Sequence, residues 1–153
     1  MELVLRVPDP APPEIMSAVA DLIRLTASIG SGVTATTDTE WTVDRAVKML
    51  RDTNARALLF VEAAIEGEGW VDGPAFRAKE GEGALRGPSA SITRAIKRGA
   101  ERGHWSAAIT PPFKPTTPDK EGWSKTGGYY LADGLLPVFT EAMTILREKA
   151  PRA

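Results

Sequence analysis

The chain is 153 residues long, 42% hydrophobic, and carries a formal net charge of −1, the size and balance of one globular domain with a small appendage. It has no cysteine and a single histidine, His104, which excludes disulfides and thiolate metal sites and argues against a zinc site. Prolines at 8, 10, 12 and 13 leave the N-terminal region without an apolar run of signal-peptide or membrane-span length, so the expectation is a cytoplasmic protein with no membrane role.

Residues Glu2 to Val7 are rich in β-formers and predict a strand that Pro8 ends. Pro12 and Pro13 suit the first turn of a helix, and Ile15, Val19, Leu22 and Ile23 give it an apolar stripe, so a helix is predicted from Pro13 to Ile29. The Gly, Ser and Thr-rich stretch that follows, through Thr39, reads as a loop. This places an N-terminal strand-helix extension at 1–33 and a linker at 34–41.

Thr42 is an N-cap candidate for a helix carrying Val43, Ala46, Val47 and Leu50. Asp52-Thr53-Asn54 breaks it, and a second helix is predicted from Ala55 to Glu66, apolar on most of its circumference and hence central to the core. Trp70-Val71 reads as a short extended link. Pro74 then opens a helix anchored by Phe76, and a turn through Gly81 and Gly83 leads to another helix from about Pro88.

Charge is unevenly spread along the chain. Up to Gly73 there are 6 Lys and Arg against 12 Asp and Glu, whereas from Pro74 onward the counts are 13 and 8. Between Leu85 and His104 the basic residues Arg86, Arg94, Lys97, Arg98 and Arg102 face Glu101 alone. Such a local positive field favours an anionic partner, although a solvated helix face gives the same pattern. Ile92, Ile96 and Gly99 or Ala100 fall on one side of this helix, leaving Ser89, Ser91, Thr93, Arg94, Lys97 and Arg98 on the others. Arg94 and Lys97 are of the type that reads guanine edges; Ser89, Ser91, Thr93 and Arg98 are of the type that holds phosphates.

Beyond Gly103, two β-prone pieces, His104 to Thr110 and Gly127 to Leu131, flank a loop rich in Pro, Gly and Lys, the pattern of a hairpin with an enlarged tip. Lys114, Lys120 and Lys125 in that loop are candidate phosphate contacts, with Trp123 set against a sugar or a protein surface. The C-terminal segment places Leu136, Phe139, Met143 and Leu146 on one helical stripe, to be buried in the same subunit or in a second copy.

On these pieces, Thr42 to Leu131 resembles the winged helix-turn-helix superfamily: three helices followed by a two-stranded wing, in an α+β fold with the N-terminal extension and a C-terminal helix over 132–153. The resemblance is one of architecture and carries no family-defining motif. It implies binding of double-stranded DNA, as in a small bacterial transcriptional regulator or nucleoid-associated protein acting as a homodimer. The alternative is a winged-helix protein-interaction module without DNA binding. Catalysis is not expected: His104 beside Trp105 is the one base candidate, at a helix-to-wing junction where packing explains it more simply, and the carboxylates among Glu66-Gly67-Glu68-Gly69 and Gly81-Glu82-Gly83 sit in glycine-rich turns. Gly127-Gly128 lacks the spacing of a phosphate-binding fingerprint, and no cofactor is implied.

Overall fold

A computed structural model describes residues 3–28, 33–81, 83, 85–116 and 126–149. The fold is mixed α+β, with six helices and two small sheets among these residues. It divides into two compact units, Met1–Glu40 with Ala100–Ile109, and Trp41–Gly99 with Thr110–Ala153.

The first unit is built on β1 (Leu3–Val7), α1 (Pro13–Ser28) and β2 (Val33–Thr37). The strands pair in parallel, from Leu3 opposite Val33 to Val7 opposite Thr37, and α1 supplies the crossover that a parallel pair requires. The strand β2 takes up the first half of the linker expected at 34–41. Its sequence, Val-Thr-Ala-Thr-Thr, holds β-branched residues that favour a pleated backbone when a partner strand is at hand. The pairing is continued by the Asp38 N–H, which donates to the Val7 carbonyl at 3.1 Å. In the same unit the buried Ser106 hydroxyl donates to Asp9 Oδ2 at 2.8 Å and accepts the Ala108 N–H at 3.0 Å.

The second unit contains α2 (Val43–Arg51), α3 (Ala55–Glu66), β3 (Trp70–Asp72), α4 (Gly73–Glu80), α5 (Arg86–Glu101, counted with this unit through Gly99), β4 (Phe113–Pro115), β5 (Gly128–Leu131) and α6 (Leu136–Glu148). Local sequence sets the helix starts. Thr42, Asn54 and Asp72 are N-caps whose side chains accept the N–H groups of Arg45, Ala57 and Ala75. Gly81, with φ of 103°, ends α4 in a backbone region that suits glycine.

The three strands form an antiparallel sheet in the order β3–β5–β4. Trp70 stands opposite Tyr130 and Val71 opposite Tyr129, while Phe113 stands opposite Leu131 and Lys114 opposite Tyr130. Val71, Phe113 and Leu131 are buried, and Trp70, Lys114 and Tyr130 are exposed, so the sheet has one core face and one solvent face. Two expectations are corrected. Trp70-Val71 belongs to a paired strand and is not a bare link. The first strand of the expected hairpin is Phe113–Pro115, inside the stretch read as a loop, while His104 to Thr110 forms turns in which Trp105, Ser106 and Ile109 are buried.

The core is a connected set of rings. Phe60, fully buried on α3, meets Phe113 at 5.1 Å, Tyr129 at 5.3 Å and Phe76 at 5.9 Å between centroids. Phe113 continues to Phe139 at 5.8 Å, and Phe139 to Trp41 at 5.9 Å. The Trp41 indole N–H donates to the Thr110 carbonyl at 2.8 Å. Helix α6 packs against α2 and α3, with Phe139, Ala142 and Met143 buried and Leu136 and Leu146 half-buried. Phe139 and Met143 of the C-terminal stripe are thus buried within their own subunit, the first of the two placements open to it, and α6 belongs to the second unit.

Candidate nucleic-acid interface

Helix α5 has two distinct sides. Pro88, Ser91, Ile92, Ala95 and Gly99 are buried, while Arg86, Ala90, Thr93, Arg94 and Lys97 are exposed. The exposed positions recur at three- and four-residue spacing, so they line one face of the helix. Arg86 and Arg94 make no ion pair among the described residues. The buried side carries the small residues Ala95 and Gly99 beside Ile92.

Two of the residues expected at this surface serve the fold instead. Ser91 is 6% exposed, and its hydroxyl accepts the Asn54 N–H at 3.1 Å, holding the start of α3. A hydroxyl so placed has no access to a phosphate. Arg98 is half-buried against the end of α2: its Nε donates to Asp52 Oδ2 at 2.7 Å and its Nη2 to the Asp52 carbonyl at 2.8 Å. A guanidinium held in this way through Nε and Nη2 acts as a clasp between α5 and the end of α2.

The hydroxyls of Ser89 and Thr93 donate back along the helix, to the Leu85 carbonyl at 2.8 Å and the Ser89 carbonyl at 2.9 Å, leaving lone pairs as acceptors. Arg102 is exposed just past the end of α5 and belongs to the first unit. Lys114 is exposed on β4, on the sheet's solvent face. Lys120, Lys125 and Trp123 lie outside the described residues.

The aromatic pair Trp70 and Tyr130, 38% and 43% exposed and directly opposite across β3 and β5, went unread as a surface in the sequence. The alternation of Trp70-Val71-Asp72 with an apolar centre was the available signal. No helix among the described residues is long and apolar enough to cross a membrane. No protein-family model, curated protein or solved structure matches the chain.

Proposed function

We propose that the second unit is a winged helix-turn-helix domain that binds double-stranded DNA, with α5 as the recognition helix and β4–β5 as the wing. The order α3, β3, α4, α5, β4, β5, with the strand between the first two helices paired to the second strand of the hairpin, supports the fold reading. The functional reading is carried by the two-sided character of α5. Its buried side is apolar and small, and its solvent side presents Arg86, Thr93, Arg94 and Lys97 in one row. A helix laid in the major groove needs that row for base edges and phosphates.

Arg94 reads a base edge and Arg86 and Lys97 hold the backbone, with Lys114 of the wing adding a phosphate contact; the Thr93 hydroxyl, whose proton goes to the Ser89 carbonyl, has none to give a phosphate. The protein is a small regulator or nucleoid-associated protein acting as a homodimer. With α6 consumed by its own core, the dimer contact falls to the first unit, where α1 leaves Ile15, Met16, Ile23 and Leu25 exposed. Sedimentation of Ile23→Glu against the wild type checks this: dissociation to monomers supports it, and an unchanged mass overturns it.

Fluorescence anisotropy of a labelled duplex of mixed sequence tests the DNA reading. Affinity should fall by orders of magnitude between about 50 and 200 mM salt if roughly six phosphates are neutralised. A protein that leaves the duplex unbound at low salt overturns the proposal. The exposed pair Trp70 and Tyr130 favours the second reading, a protein-interaction module using the sheet's solvent face. Under that reading the duplex stays unbound and Tyr130→Ala abolishes capture of the protein partner.

A further inference from the structure

Beside the DNA-facing row of α5, on the side turned toward the sheet, a cleft of about 310 Å³ opens between Ile92 and Ile96 of the helix and the rings of Phe60, Phe113 and Tyr129. Its walls are completed by prolines of the segment entering and forming β4, Pro115 among them. Among the described residues, no ionisable side chain except the phenol of Tyr129 lines it. Ser89 and Thr93 line the helix wall, and their hydroxyl protons are already committed to helix carbonyls.

We propose that this cleft is a binding site for a neutral, planar aromatic small molecule carrying one hydrogen-bond donor. The volume falls at the lower end of the range for small-molecule sites and is too small for a helix or a folded segment of a partner. A charged ligand would lose its hydration against apolar walls with no counter-charge among the described residues, so the occupant is neutral. Phe60 meets Phe113 and Tyr129 edge to face, at interplanar angles of 67° and 79°, and a flat ring extends that packing. The spare lone pairs of Ser89 and Thr93 accept a donor from the ligand's rim. The site does not depend on the DNA-binding reading, and its test uses no DNA.

The probe is indole, a flat neutral ring system with one N–H, titrated into the full chain and followed by ¹H–¹⁵N spectra. Saturable binding with a dissociation constant of about 1 mM or tighter is expected, with shifts concentrated at the amides of Ile92, Ile96, Phe113 and Tyr129. Benzoate, flat but anionic, should bind at least about tenfold more weakly. Pro115→Tyr and Ile96→Phe each fill the cleft from one wall, and either variant, if folded by circular dichroism, should lose at least about tenfold in indole affinity. Shifts that grow without saturation, shifts centred elsewhere, equal binding of benzoate, or a folded variant that keeps wild-type affinity overturns the proposal. The spectra of the wild type decide the matter even if both variants fail to fold.

Discussion

The indole of Trp70 lies across Gly128, close enough that a Cβ on the glycine would stand 2.6 Å from two ring carbons and 2.3 Å from the Val71 carbonyl oxygen. The two residues are diagonal neighbours on antiparallel strands, Gly128 being opposite Asp72 and Trp70 opposite Tyr130. An aromatic ring covering a strand glycine restores the packing that the missing side chain forgoes. The half-exposed Trp70 therefore has a structural role beside any role as a contact surface.

Gly128→Ala should be destabilising by about 1–3 kcal/mol, because a backbone carbonyl as well as the ring must yield to the new methyl. Urea denaturation followed by circular dichroism measures it. A stability equal to that of the wild type would show that β3 and β5 move apart at little cost.

Phe139 touches Phe113 and Trp41 and is 0% exposed. Truncating a phenylalanine in such a position removes its burial and leaves a cavity, so Phe139→Ala should lose about 3–5 kcal/mol. Phe139→Asp should unfold the second unit. A folded, soluble Phe139→Asp protein would return the C-terminal stripe to an intersubunit role.

Helices were readable from the sequence to the extent that their caps and periodicity acted locally. Ala55–Glu66 falls between a capping Asn54 and Gly67, and both signals stand in the sequence itself. The strands were less legible, since each depends on a partner far along the chain: β2 is Thr-rich and takes shape against β1, and β4 follows two prolines that punctuate it as loop. In the candidate site, periodicity placed Arg94, Thr93 and Lys97 on the open side, where they are exposed. It could not reveal that Ser91 meets Asn54, or that Arg98 meets Asp52, because those partners lie 37 and 46 residues away.

The clasp between Arg98 and Asp52 and the open position of Arg94 separate two kinds of arginine on one helix. Arg98→Ala breaks two hydrogen bonds to a partly exposed carboxylate and carbonyl, and with solvent screening the loss of stability should be about 1 kcal/mol. Its direct effect on DNA affinity should be small. Arg94→Ala removes no hydrogen bond or ion pair among the described residues, so its denaturation midpoint should match the wild type, while affinity for a preferred duplex falls by about 1–3 kcal/mol and discrimination among sequences narrows. Lys114→Ala, on the solvent face of β4 in the proposed wing, should weaken all duplexes alike and make the salt dependence shallower by about one phosphate contact. Parallel denaturation and anisotropy measurements on the three variants check the assignment. If Arg94→Ala proves as unstable as Arg98→Ala, or if it weakens every duplex equally, Arg94 is not the base-reading residue of α5.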